Sequence, residues 1–311
     1  MTQYHAILVG NGTMGGRHRT RFEGCGVLFD KVLDVDAEKW LSENHEKLGV
    51  DFAVVASPAS SHYDYVKFFL ERKIPVLVEK PLAVTAEQAL ELVELSRSTD
   101  TLLFVAQSEC YNPLFLAFRR HLQVDLRNAV AARAAVGKTA ESAPLDVKLE
   151  FRREHGFTER CRDVDVSLDL LIHDVSLFLN LFDARDVRPV DETPSRESSA
   201  DCRRIALKVV SGEFAGVEAS LVANRNSDRD LRTVSVVFGR NGDIPGFDYS
   251  VSLARYTGDG SVVHLPDSLD NEHRFFLRLL AGSHREWAER ALQNAAQSIA
   301  LLAGLHNKNI S

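Results

Sequence analysis

The run Gly10-Asn11-Gly12-Thr13-Met14-Gly15 constrains this chain more than any other stretch, because it follows directly on a short apolar segment, His5-Ala6-Ile7-Leu8-Val9. A buried strand that ends in G-x-G-x-x-G and opens a helix has the sequence form of a phosphate-binding turn. Each glycine has a reason there. Gly10 makes the tight turn, Gly12 lets backbone approach a pyrophosphate, and Gly15 lets the helix pack closely on the sheet. The helix then offers its free N–H groups to the anion. Thr13 and Met14 lie inside the turn and join the glycines as candidate cofactor contacts. A second apolar strand, Val27 to Leu33, ends at Asp34, about twenty residues past the fingerprint, where a carboxylate accepts hydrogen bonds from an adenosine ribose. The expected ligand is a dinucleotide, with a purely structural glycine turn as the alternative. Asp34 favours NAD, since it would repel the 2′-phosphate of NADP, although Arg17 and Arg19 add basic charge nearby.

The same grammar continues along the chain. After a helical stretch, Ala37 to Leu48, come the apolar runs Asp51 to Ala56, Val76 to Val78 and Leu102 to Val105, separated by helical stretches Ser61 to Arg72 and Thr85 to Arg97. Near-continuous apolar strands alternating with helices predict an α/β fold with a doubly wound parallel sheet. Ligands of such sheets bind beyond the carboxyl ends of the strands. Ser57-Pro58 and Glu79-Lys80-Pro81 lie at two of those ends and extend the candidate cofactor site.

Beyond Pro113 the pattern changes. A helix over Leu114 to Leu122 is followed by Ala129 to Val136 and Val147 to Phe151, read with the strands, and then by an apolar helix from Ser167 to Phe182. Ile205 to Val210, Gly216 to Ala223, Leu231 to Phe238 and Tyr249 to Leu253 follow one another without intervening helices, joined by turns such as Arg240-Asn241-Gly242-Asp243. That succession predicts an antiparallel sheet, making the second domain α+β. Arg188 to Cys202 reads as an exposed loop, and two helices, His273 to Leu280 and Arg285 to Leu305, close the chain. The expected division is a dinucleotide-binding domain over 1–115 and a substrate-binding and oligomerisation domain over 116–311.

Composition narrows the setting. A net charge of −7 disfavours a general nucleic-acid surface, which needs a basic excess. No apolar run reaches the roughly 18 residues of a membrane span, and the N-terminal apolar run belongs to a strand, so no membrane partner and a cytoplasmic location are expected. Cys25, Cys110, Cys161 and Cys202 are too dispersed for a disulfide framework and read as reduced thiols, and no histidine and cysteine spacing points to a metal.

Several side chains suit acid/base chemistry. Lys80 stands at the end of a buried strand, where its amine can donate to a substrate oxygen and where burial would lower its pKa, or else it is an exposed turn lysine. On the apolar helix, Asp169, His173, Ser176 and Asn180 recur at steps of four, three and four, which puts them on one face. That stripe is either a solvated face or a proton-handling one, His173 with Asp169 a turn away. Asp174 lies off it. Glu109, Tyr111, Asn112 and Pro113 occupy the change of pattern, where Tyr111 and Asn112 are candidate substrate contacts and a hinge is the alternative. Arg152 and Arg153 read as a solvated pair that could also grip an anion. His62 reads as a packing residue of its helix.

Taken together, the glycine fingerprint, Glu79-Lys80-Pro81 and Asp169-x-x-x-His173-Asp174 resemble the Gfo/Idh/MocA oxidoreductases over nearly the whole chain. The resemblance implies an N-terminal Rossmann domain, a C-terminal domain with a large, mostly antiparallel sheet used in homodimers or homotetramers, and NAD(P)-dependent redox chemistry on sugars or polyols. It implies catalytic roles for Lys80, Asp169 and His173, and matches His62 to a histidine common after the Ser57-Pro58 turn, which adds it to the cofactor-side residues. Leu171 stands where many members have glycine, and Ser176 where many have aspartate. The run Gln107 to Pro113 resembles members acting on nucleotide-linked amino sugars, such as UDP-N-acetylglucosamine 3-dehydrogenases. The expected activity is NAD(H)-dependent oxidation of a secondary hydroxyl of a sugar, sugar nucleotide or polyol, or its reverse. A non-catalytic sensor of the same fold and an imine or enone reductase are the alternatives.

Overall fold

The computed structural model describes residues 3–44, 48–156, 164–182, 184–190, 199–239, 246–253 and 267–307. It divides into two compact units. The first is a parallel sheet of β1 (His5–Val9), β2 (Leu28–Leu33), β3 (Phe52–Val55), β4 (Val76–Glu79) and β5 (Leu103–Ala106), in the order β2-β1-β3-β4-β5. Helices α1 (Thr13–Gly24), α2 (Ala37–Asn44), α3 (His62–Glu71) and α4 (Ala86–Ser98) connect the strands. All residues of β3, β4 and β5 are buried, which is why their sequences are apolar without alternation. Only β2, an edge strand, shows polar and exposed positions. The Thr85 hydroxyl accepts from the Gln88 N–H and starts α4.

This unit comprises Met1–Ser108 together with Leu269–Ala300, so the chain returns to it near the end. The division expected at 115/116 follows chain order and differs from this arrangement. The periodicity of α7 (Ser268–Leu280) marks a helix but not the core that receives its apolar side. Phe276 supplies the answer, packing edge-on against Phe22 and Phe52 and tilted against Phe104 in the core of the first unit. α8 (Arg285–Asn307) follows α7.

The second unit carries a six-stranded sheet of β6 (Val147–Glu154), β7 (Val187–Pro189), β8 (Cys202–Val209), β9 (Glu218–Asn224), β10 (Leu231–Phe238) and β11 (Phe247–Ser252), ordered β11-β10-β6-β9-β8-β7. Every neighbouring pair is antiparallel except β6 with β9. Its helices are α5 (Pro113–Ala135) and α6 (Ile172–Leu181). Ala129 to Val136, expected as a strand, instead completes α5, because the buried positions Phe115, Phe118, Leu122, Leu126, Ala129 and Arg133 continue at helical spacing. Part of the expected loop Arg188 to Cys202 also differs, since Val187–Pro189 pairs with β8. The turn Arg240 to Asp243 and Cys161 lie outside the described residues, and Cys25, Cys110 and Cys202 are free thiols.

Candidate active site

In the first unit the glycine turn sits where the sheet order reverses, between β1 and β3. Gly10 has φ +95°, and a Cβ there would lie 2.4 Å from the Ser57 backbone nitrogen. A side chain at Gly15 would come within 1.9 Å of the Gly10 carbonyl oxygen. Gly12, by contrast, has nothing within 4 Å of a Cβ position and caps α1 with no side chain. The first-turn N–H groups of α1 therefore lack a side-chain cap beside a backbone that a pyrophosphate can approach. Thr13 is exposed and Met14 half-buried at this end. The Gly10 N–H donates to the Leu33 carbonyl at 2.8 Å, which brings the exposed Asp34 next to the turn. The residues present fit an adenine dinucleotide, with glycines and helix end for the pyrophosphate and Asp34 for the ribose.

Lys80 is half-buried just past β4, and its peptide bond to Pro81 is cis. A polar network that the sequence did not reveal lies around it. The Lys80 N–H donates to Glu79 Oε2 at 3.1 Å, and Glu79 Oε1 lies 2.8 Å from His18 Nε2. His18 Nδ1 is 2.8 Å from His273 Nε2, and His273 Nδ1 donates to the Leu269 carbonyl at 2.5 Å. Burial alone would raise the Glu79 carboxyl, but the hydrogen bond and charge of His18, aided by Lys80 and His62, hold it below the usual range. Burial pushes His273 down to about 3. Glu272 is fully buried without a well-formed hydrogen bond to its carboxyl oxygens. Burial and the charge of Glu79 push its carboxyl well above the ordinary range, with only the Gln107 backbone acting the other way.

His62 is likewise buried, with Nδ1 2.7 Å from the Pro81 carbonyl oxygen and Nε2 2.9 Å from that of Ser57. Both its nitrogens thus face backbone, and its ring joins the Ser57-Pro58 and Glu79-Lys80-Pro81 turns.

In the second unit Asp165 Oδ1 accepts the N–H groups of Ser167 and Leu168, and a π-helical turn, Ser167–Leu171, leads into α6. The polar stripe is not solvated. Asp169 and Ser176 are buried, and His173 and Asn180 are half-buried. Asp169 forms an ion pair with Arg225 at 3.4 Å, and Arg225 also holds Asp201 at 2.8 Å. The Ser176 hydroxyl donates to the His173 carbonyl at 2.7 Å, which turns it onto its own helix. Asn180 donates to Cys110 Sγ at 3.2 Å.

Behind His173 lies a second network. Arg153 is buried, contrary to the expected solvated pair, and its guanidinium grips Asp174 at 2.9 Å and Glu109 at 3.2 Å. Burial pushes the Asp174 carboxyl up in spite of that charge. The same burial at Arg153 is outweighed by Asp174 and Glu109, which hold the guanidinium charged. Arg152 pairs instead with Glu154 and Glu150. Tyr111 is half-buried. Asn112, expected as a substrate contact, has a structural role. Its Oδ1 accepts the Leu114 N–H at the start of α5, and its Nδ2 donates to Glu109 and to the Leu253 carbonyl.

A family model described as an oxidoreductase family with an NAD-binding Rossmann fold, Gfo/Idh/MocA, matches residues 27–107. The match falls on the strands and helices of the parallel sheet, from Val27 to Gln107. Among the relatives of this chain, the UDP-N-acetylglucosamine 3-dehydrogenase of Acidithiobacillus ferrooxidans is 26% identical over 226 residues, 66% of each protein. The inositol 2-dehydrogenase of Acidothermus cellulolyticus is 26% identical over 277 residues, 81% of this chain and 75% of that one. A crystal form of the Acidithiobacillus enzyme superposes with TM-score 0.67 at 21% identity, over 97% of this chain and 100% of the other. The parallel sheet and the mostly antiparallel sheet are the pair that the sequence indicated. The residues that sequence reading passed over are His18, His273 and Glu272, and it did not foresee the pairing of Arg153 with Asp174. His18 carried a signal, since Gly15, His18 and Phe22 form the buried stripe of α1. Among the described residues no helix is long and apolar enough to cross a membrane.

Proposed function

We propose that the protein is an NAD(H)-dependent dehydrogenase that converts a secondary hydroxyl of a sugar, sugar nucleotide or polyol to a ketone, or runs the reverse. One observation carries the reading. Lys80 stands at the carboxyl end of β4, on the same edge of one sheet as the open glycine turn and Asp34. Bound NAD supplies the hydride acceptor. The chain's own residues serve the oxygen. His173 takes the hydroxyl proton, Lys80 donates a hydrogen bond to the oxygen as it becomes a carbonyl, and Asp169 supports the imidazole from the preceding helical turn. Asp169 also pairs with Arg225 at 3.4 Å. Tyr111 is the substrate contact retained from the Gln107 to Pro113 segment. Relatives named for UDP-N-acetylglucosamine and for inositol support a hydroxyl-rich substrate. Assembly as a homodimer or homotetramer in the cytoplasm completes the reading.

The test is a panel of UDP-sugars and free polyols offered with NAD, followed by the absorbance of the reduced nicotinamide. Turnover of one class is the expected result. Tight NAD binding without turnover of any panel member would instead favour a sensor.

A further inference from the structure

Lys80 is flanked in the chain by two groups that buried histidines hold, Glu79 on one side and Pro81 on the other. Counting protons along these contacts fixes the state of each ring. His273 Nδ1 faces a carbonyl, which only accepts, so that nitrogen carries hydrogen. Burial keeps His273 neutral, so its Nε2 is a bare acceptor and His18 Nδ1 must donate to it. His18 Nε2 then meets Glu79, whose carboxyl is held below the usual range and is therefore a carboxylate. A bare Nε2 against a carboxylate at 2.8 Å would set two lone pairs against each other, so a proton lies between them. His62 presents the simpler case. Both of its nitrogens lie within hydrogen-bond distance of carbonyl oxygens, and each bond requires an N–H.

We propose that His18 and His62 are positioning residues for Lys80, each protonated on both ring nitrogens, clamping the turn through the Glu79 carboxylate on one side and the Pro81 carbonyl on the other. The clamp reaches all three ligand-side turns of the sheet. His18 belongs to the helix that starts at the glycine turn, and His62 also holds Ser57. Lys80, Glu272, His273 and Arg21, itself paired with Asp270, are further titratable groups acting on this cluster. The inference rests on the reading of Lys80 as the amine at the reacting oxygen, but its test does not pass through catalysis.

Proton–nitrogen spectra of the full chain labelled at histidine, recorded at neutral pH and assigned with His18→Gln, His62→Gln and His273→Gln, read the proton count directly. Two doubly protonated rings, His18 and His62, beside a singly protonated His273 are expected. In His18→Gln the Lys80 amide proton resonance should move, since its acceptor loses a charged partner. Should that variant not fold, the parent spectrum still decides the proton count, and Glu79→Gln should drop His18 to one ring proton. A singly protonated His18 or His62 in the parent overturns the proposal. So does a Lys80 amide resonance that stays in place in a folded His18→Gln. These outcomes are separate from the effect of Lys80→Ala on turnover, which tests the functional reading alone.

Discussion

The two units solve the same problem with different chemistry. Each places a buried charged network directly beside a proposed reacting residue, Glu79 next to Lys80 in the first and Asp174 next to His173 in the second. In the first unit imidazole rings answer the carboxylate, and in the second a guanidinium answers two carboxylates. An imidazole gains and loses its proton near neutral pH, while a guanidinium does not. The first network therefore depends on where protons reside, and the second on fixed guanidinium charge, Arg153 with Arg232 beside it at Glu109.

The largest expected effects lie at the two neighbouring residues. His173→Ala should lower turnover by roughly two to four orders of magnitude, the range for a lost general base. Lys80→Ala should also impair turnover, more mildly where water replaces the amine. NAD titrations should hardly change for His173→Ala. Activity within twofold of the parent would remove His173 from the chemistry.

Next in size is Arg153→Met. It leaves Asp174 in the interior without its ion-pair partner and Glu109 with Arg232 at 3.4 Å alone, and breaking a buried pair in this way costs about 3–5 kcal/mol. Denaturant unfolding of the full chain measures it. A loss near that of a surface substitution would show that the second network does not hold its unit together.

Glu272→Gln should act in the opposite direction. The carboxyl of Glu272 is raised in the fold, so above its ordinary value of 4.5 the unfolded chain releases a proton that the folded chain keeps. Stability from this group is present at low pH and lost as pH rises, and the amide removes that loss. A gain is expected at alkaline pH, shrinking towards pH 5. His273 runs the other way. Its folded value, about 3, lies below the ordinary 6.5, so its contribution is complete above 6.5 and lost as pH falls towards 3. Melting temperatures of parent and Glu272→Gln across this range separate the two, and a gap that does not widen with pH would refute the assignment of Glu272.

The smallest effect is expected outside both networks. Thr85→Ala removes the hydroxyl that accepts from Gln88 N–H and should cost about 1 kcal/mol without altering the pH profile. A change in that profile would mean that the first network extends further than its hydrogen bonds show.

Local sequence determined the strands, most helices and the glycine turn of this protein. Backbone conformation at Gly10, burial of unbroken apolar runs and helical spacing are properties of residues close in the chain. The same locality misled at Ala129 to Val136, where a short window looked like a strand and only the longer spacing from Phe115 onwards showed the helix. What tertiary structure decided was partnership. His18 and His273 are 255 residues apart, and Arg153 and Glu109 are 44 apart, so no local pattern could pair them. A buried ionisable group keeps, loses or shares its proton according to what surrounds it. The sequence placed Lys80, Asp174 and His62 on their elements, and only the packed fold supplied the groups that set their charge and position.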